Sequence, residues 1–206
     1  MTEAGEAHID QVEETPGNID FNKKHVLENS WTLWFDNPTG RQKQTTWGAS
    51  LRAVYTFSTV EDFWCMYNNI VTPSRLVSGS DFSLFKSGVE PKWEDSYNQN
   101  GGKWTFLIPK SPNKSQLDNC WLNVVLAAVG ETFDESEEIC GIVVNIRTKQ
   151  DRISIWTKTA TNEAAQMKIG THMREVMEIT EHGRIGFTGH DDSQKMDKKA
   201  KDRYSV

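Results

Sequence analysis

The chain lacks the short signatures of the commonest nucleotide-processing and hydrolytic enzymes. It has no G-x-x-x-x-G-K-[ST] stretch to cradle phosphates and no G-x-S-x-G turn to expose a nucleophilic serine. The five histidines (His8, His25, His172, His182, His190) are scattered, and no nucleophile has an evident base beside it. His190-Asp191-Asp192 offers metal-type donors, but no second cluster has ligand spacing. Neither an enzyme nor a metal or cofactor is expected. Cysteine is sparse: Cys65, Cys120 and Cys140 show no C-x-x-C spacing, which suits a reducing compartment. No apolar run approaches the roughly 20 residues that span a bilayer, and the N-terminus lacks a basic-then-apolar leader. The expected location is the cytoplasm, with the nucleus as a second one. Residues 1–20 contain no Lys or Arg but hold six acids: Glu3, Glu6, Asp10, Glu13, Glu14 and Asp20. That stretch accounts for the net charge of −6, leaving 23 acids against 23 basic residues in the body. A neutral body with one local basic cluster would not coat duplex DNA, yet it can hold a few phosphates at one place.

What the chain has in excess is tryptophan, eight in 206 residues, too many to serve only as core filling. Residues 1–24 read as a disordered acidic tail and 25–206 as one folded domain. Strands are predicted at 30–35, 51–57, around Phe82 and Leu84, 103–108, 139–146, 152–156 and 185–187. Ser58 or Thr59 caps a first helix with Glu61 and Asp62 in its opening turn. Within it Val60, Phe63, Trp64 and Tyr67 form an apolar stripe, core by default, with Val60 and Trp64 also suited to docking a partner. A second helix spans 117–129 and ends at Gly130; a third starts after Asn162 and runs to about Met177. The charged stretch 191–203 has no clear pattern. Seven or eight strands, three helices and hairpin-like links without βαβ alternation give the α+β class, an antiparallel sheet with helices on one face.

Two kinds of residue carry recognition chemistry. Gly88-Val-Glu-Pro-Lys-Trp-Glu-Asp95 sets Trp93 beside Glu94 in a loop stiffened by Pro91. A Trp face stacks on a purine, and a carboxylate accepts from the N1–H and amine of guanine. The alternative is a loop Trp that seals the core beside a solvated acid. Trp47, delivered by the polar stretch 37–46, is a second stacking platform or a residue folded back on the core. Arg147, Lys149 and Arg152 share a hairpin tip, with Asn145 and Trp156 on the flanking strands. Guanidinium forks pair bidentately with phosphate oxygens, so the tip suits a phosphate chain; the alternative is an ordinary solvated turn.

The ordered series Ser30-Trp-Thr-Leu-Trp-Phe35, Trp47-Gly48, Thr59-Val-Glu-Asp-Phe-Trp64, Gly88 to Asp95, Gly101-Gly-Lys-Trp104, Gly130-Glu-Thr-Phe-Asp134, Ile139 to Arg147 and Ile155-Trp-Thr157 closely resembles eukaryotic translation initiation factor 4E, the mRNA cap-binding family. The resemblance runs from about His25 to the C-terminus. Lys149-Gln-Asp, Thr157-Lys, Asn162-Glu-Ala-Ala and Arg203-Tyr-Ser-Val look nearest to plant members. It implies a curved antiparallel sheet of about eight strands with three helices on the convex face. It also implies that Trp47 and Trp93 sandwich 7-methylguanine and that Glu94 takes its N1 and N2 donors. Trp156 would touch the N7-methyl group. Arg147 and Arg152, with Lys149, would hold the triphosphate, and Asn145 belongs to the same site.

The implied partners are capped mRNA and a Tyr-x-x-x-x-Leu-apolar helix carried by the scaffold factor 4G and by repressors. That helix would meet His25, Val60, Trp64, Leu122, Asn123 and Leu126. The implied state is a monomer that pairs with the scaffold. Departures are Val26-Leu27 where Pro-Leu is common, Asn123 where many members have Glu, and Asn98 in a loop that contains Cys in several plant members. Asn123 keeps a cap-binding repressor open as an alternative, and a nucleotide-hydrolysing protein is the alternative from another class. Phosphoregulation near Lys198-Lys199 and a redox disulfide at Cys140 are not expected.

Overall fold

The computed structural model describes residues 23–37, 50–111, 115–179, 183–195 and 201–206, with side chains left undescribed from 193 to 195. Residues 1–22 of the acidic stretch, Trp47 and Lys198-Lys199 lie outside the described residues. Eight strands form one curved antiparallel sheet. They are β1 (Val26–Asp36), β2 (Arg52–Thr59), β3 (Asp81–Lys86), β4 (Gly102–Pro109), β5 (Ile139–Asn145), β6 (Gln150–Thr157), β7 (Ile185–Gly189) and β8 (Tyr204–Ser205). Their spatial order is β2-β1-β3-β5-β6-β4-β7-β8. The helices are α1 (Val60–Asn69), α2 (Ser115–Val129), α3 (Glu163–Val176) and the short α4 (His190–Lys195).

The helices start where the capping chemistry predicts. Thr59 accepts from the Asp62 N–H at 3.2 Å and donates back to its carboxylate at 2.8 Å. Asn162 caps α3 by accepting from the Ala165 N–H at 3.2 Å. The end of α2 differs in detail from the expected glycine stop. Thr132 N–H returns to the Ala127 carbonyl and Glu131 N–H to Ala128, and Glu131, not Gly130, adopts positive φ (55°). The charged stretch after β7 is also ordered in part. α4 begins it, and Arg203 bonds to both Asp191 and Asp192 before β8 pairs with β7.

Period-two alternation splits the strands between two environments. Trp31, Leu33, Leu84, Trp104, Phe106, Ile142, Val144, Ile153 and Ile155 face α1, α2 and α3 and form the main core with Phe63, Trp121, Val124, Val125, Ile169 and Met173. The opposite face, helix-free in the sense that α1, α2 and α3 leave it uncovered, carries a smaller cluster: Phe85, Val89, Cys140, Val143 and Trp156, with Trp34 and Trp93 packed on it. Strand β5 serves both. A bulge between Ile139 and Gly141 adds one residue, so Ile139 enters the main core while Cys140 joins the smaller cluster. At Gly141 a Cβ would lie 2.4 Å from atoms of the Phe85 ring, so the ring lies directly against the bare backbone.

Candidate functional site

Strand register sets the site on the helix-free face. Reading across the sheet, one row is Asp36, Asp81, Asn145, Arg152 and Leu107. Two residues along each strand, the next row is Trp34, Ser83, Val143, Ser154 and Thr105. The third is Thr32, Phe85, Gly141, Trp156 and Lys103. The sheet therefore presents a charged band at one level and an aromatic band at another, four residues away along the strands.

The Trp93 loop stands beside the aromatic band. Gly88 turns the chain out of β3 at φ 88°, a conformation that strains residues with a Cβ. Val89 and Pro91 are buried, which anchors the loop to the sheet. Trp93 is half-buried against the Phe85–Trp156 cluster and Glu94 beside it is exposed. The sequence alternatives for Trp93 thus merge: the indole seals a small apolar cluster and still shows part of itself to solvent. Asp95 staples the loop by accepting from the Glu90 N–H at 3.0 Å and the Tyr97 N–H at 2.9 Å.

Trp156 forms the floor, 9% exposed and edge-on to Phe85 at 5.6 Å. Lys103, its cross-strand neighbour, places its amine 5.8 Å from the Trp156 ring centroid. Burial, and then the nearby Arg152, push the Lys103 amine below its usual value. Among the described residues neither Lys103 nor Arg152 has an ion-pair partner. Two cations on adjacent strands, with Asp81 the carboxylate that acts on Lys103, favour an anion at that spot. His190 packs on the other side of Trp156, ring centroids 4.4 Å apart, and is 1% exposed. Burial, and then Lys103, hold its pKa down at about 4, so the ring is neutral near pH 7.

The basic hairpin tip is more structured than a free turn. Strand β6 starts at Gln150, so Asp151, expected in the connection, lies in the sheet and is 5% exposed. It accepts from the Arg147 N–H at 3.0 Å and pairs with Lys110 at 2.7 Å. The Arg147 guanidinium forks onto Asp81, Nη1 to Oδ1 at 2.5 Å and Nη2 to Oδ2 at 3.0 Å. This bond raises the Arg147 pKa further above its usual value. The fork fixes the guanidinium plane and leaves Nε–H and part of Nη2 for another acceptor. Asn145 lies between Asp81 and Arg152 in the row, while Lys149 is exposed on the turn.

The structure thus gathers Trp93, Glu94, Asn145, Arg147, Arg152 and Trp156 on one side of the sheet; Trp47 lies outside the described residues. Sequence reading missed Lys103, Asp81 and His190. Lys103 was legible, because alternation with the core residues Trp104, Phe106 and Ile108 places it on the opposite face. Asp81 and His190 meet their partners only through strand order.

His190-Asp191-Asp192 makes no metal cluster: among the described residues no three such side chains converge, and both aspartates bond to Arg203. All three cysteines are free, and burial pushes the Cys140 thiol up to about 12. No helix among the described residues is long and apolar enough to cross a membrane.

On the opposite side, the residues singled out for a partner lie on α1 and α2, apart from His25, which precedes β1. His25 accepts the Val60 N–H at its carbonyl (2.9 Å), and its ring Nδ1 meets Glu61 at 2.6 Å. Val60, Trp64 and Leu126 are each 37% exposed, and Leu122 and Asn123 are half-buried on α2. Phe63 instead enters the core, so the apolar stripe of α1 is shared between interior and surface.

The sequence profile of the Eukaryotic initiation factor 4E family matches residues 26–205. Eukaryotic translation initiation factor 4E-1 of Oryza sativa subsp. japonica is 52% identical over 204 residues, covering 99% of this chain and 87% of that protein. Eukaryotic translation initiation factor 4E-2 of Nicotiana tabacum is 51% identical over 190 residues, covering 92% and 83%. Among solved structures, Ascaris suum eIF4E-3 in complex with m7G cap superposes with a TM-score of 0.82 at 36% identity, covering 89% of this chain and 98% of that one. C. elegans eIF4E-3 with the 4E-binding protein Mextli and cap analog gives 0.81 at 37% identity, covering 89% and 100%. With its profile match, its relatives and its fold in agreement, this chain belongs to the eukaryotic initiation factor 4E family.

Proposed function

We propose that the helix-free face binds the 7-methylguanosine 5′ cap of mRNA and that the outer surface of α1 and α2 binds the scaffold factor 4G or repressors through a Tyr-x-x-x-x-Leu-apolar helix. The chain then acts as an adaptor in translation initiation, without catalysis. The observation that carries the reading is the placement of Trp93 and Glu94 beside a Trp156 floor, with Lys103 across from it and Arg152 further along its strand, neither in an ion pair among the described residues. Each group has a matching feature in the cap. The Trp93 face stacks on the base, and Trp47 supplies the second face of the sandwich. Methylation at N7 makes the base cationic, which adds a cation–π contribution of about 0.5–2 kcal/mol to stacking worth about 1–3 kcal/mol per face. Glu94 accepts from the guanine edge. Arg147, preset by Asp81, and Arg152, aided by Lys103 and Lys149, receive the phosphates, with Asn145 between the two arginines.

The related nematode structures were solved with cap or cap analog, one of them with a 4E-binding protein, which supports carrying both ligand classes over to this chain. The test is a tryptophan-fluorescence titration with 7-methyl-GTP and GTP. Strong quenching by the methylated nucleotide, with a Kd in the micromolar range or tighter (about −8 kcal/mol), is expected, and GTP binds far more weakly. Equal response to both nucleotides, or turnover of a capped dinucleotide, sinks the reading.

A further inference from the structure

Asn98 has no solvent exposure, yet it sits in the polar loop that carries Trp93 and Glu94. Its side-chain amide donates twice, to the Glu90 carbonyl at 2.9 Å and to the Lys92 carbonyl at 2.7 Å. Among the described residues its own Oδ1 has no donor. Buried polar atoms are normally paired, so this side chain is held for its two donors at the expense of its acceptor.

What those donors grip gives the residue its meaning. The Lys92 carbonyl belongs to the peptide plane that ends at the Trp93 Cα. Holding that oxygen holds the plane from which the Trp93 Cα–Cβ bond departs. The Glu90 carbonyl lies just before Pro91, whose ring already locks one torsion. One amide therefore ties both sides of Pro91 and sets the approach to Trp93 and Glu94. The backbone of Asn98 is fixed as well: its N–H donates to the Asp95 carbonyl at 2.9 Å and its carbonyl accepts from the Gly101 N–H at 2.8 Å.

We propose that Asn98 is a positioning residue for the Trp93–Glu94 pair, holding the loop in its ligand-ready shape before the ligand arrives. This rests on the reading of the helix-free face as a cap slot. The benefit lies in ordering: a loop already fixed loses little conformational freedom on binding. A carboxylate at this position would keep the size but lose both donors and confront two carbonyl oxygens. A methyl group would leave both carbonyls without their bond.

The experiment titrates 7-methyl-GTP and GTP into wild type, Asn98→Asp, Asn98→Ala, Trp93→Ala and the two double variants. Binding of a Tyr-x-x-x-x-Leu-apolar peptide and thermal melting are measured alongside. Asn98→Asp weakens 7-methyl-GTP about tenfold or more and Asn98→Ala about fivefold, as expected for two lost bonds to buried carbonyls. The preference over GTP narrows, and peptide affinity stays at the wild-type value. In the Trp93→Ala background each Asn98 change costs clearly less nucleotide affinity than in wild type, because only its part exerted through Glu94 remains. A merely structural role would instead lower melting and peptide binding together and add in full to the Trp93→Ala loss, which overturns the proposal. Unchanged 7-methyl-GTP affinity in both Asn98 variants also overturns it. Should Asn98→Asp not fold, Asn98→Ala and its double variant decide. If Trp93→Ala loses nucleotide while the Asn98 variants keep it, the slot stands and only the positioning role falls. If Trp93→Ala binds like wild type, both fall.

Discussion

The two faces of the molecule each present a tryptophan, by opposite means. Trp64 rides on α1, rigid because the helix is capped at Thr59 and because Phe63, the next residue back, is locked in the main core. Its charged neighbours are already paired: His25 with Glu61, and Lys24 with Asp62 at 2.8 Å. Trp93 rides on a loop, and its rigidity comes from side-chain bonds by Asp95 and Asn98 inside that loop. Its cationic neighbours across the aromatic band, Lys103 and Arg152, are unpaired among the described residues. A surface with its charges paired and an i, i+4 apolar pair suits an apolar helix. A recess with unpaired cations suits a small polyanion. The difference shows that an accessible tryptophan does not by itself define a site; the state of the surrounding charges does.

That contrast is sharpest at Trp93. Trp93→Ala removes one stacking face and its cation–π partner, an expected loss of about 3–4 kcal/mol in 7-methyl-GTP affinity with scaffold-peptide affinity unchanged. Loss of both activities together would mean that the two faces are not independent. Acid separates the regions next. Unfolded His190 takes up a proton near pH 6.5, whereas the buried ring does so only near 4. The unfolded state therefore binds more protons in that window, and stability falls as pH drops from 6.5 towards 4, by about 3 kcal/mol in all. Lys103 and Asp191 are the charged groups acting on that ring. Thermal melts of wild type and His190→Gln between pH 7 and 4.5 check this, and the variant should lose most of the slope.

Trp64→Ala is expected to cost about 2 kcal/mol in scaffold-peptide binding while leaving nucleotide affinity alone, measured by calorimetry with both ligands. The smallest effect is at Lys103. Lys103→Gln should weaken 7-methyl-GTP about threefold to fivefold and 7-methylguanosine hardly at all, and it should flatten the salt dependence. Equal losses for both ligands would place Lys103 at the base and not at the phosphates.

The elements were legible wherever local chemistry decides them. Thr59 with Asp62 and Asn162 mark helix starts, and alternation marks most strands. Arg147, Lys149 and Arg152 marked a candidate phosphate-binding tip in the sequence, with a solvated turn as the alternative. Their controls were not legible there, because Asp81 reaches Arg147 from 66 residues away and only strand order brings them together. The segment after β7 was unreadable for a related reason. Its charges form no local pattern, since Arg203 reaches back to Asp191 and Asp192 to anchor it. Asn98 stood out in the sequence only as a residue that is not cysteine; its burial and its two donated bonds support the positioning role proposed for it.

The bulge in β5 bears on how this chain can change in length. Elsewhere in the strand, losing one residue would exchange the two faces and turn core side chains outward. Loss of Cys140 alone would leave Ile139 opposite Thr157 and Gly141 opposite Trp156, each on the face it already occupies. The strand thus carries one position that can be deleted without disturbing the register of the rest, and that position lies in the buried cluster on which Trp93 packs. Descendants of this sequence have a route to reshape that cluster while keeping every other strand pairing intact.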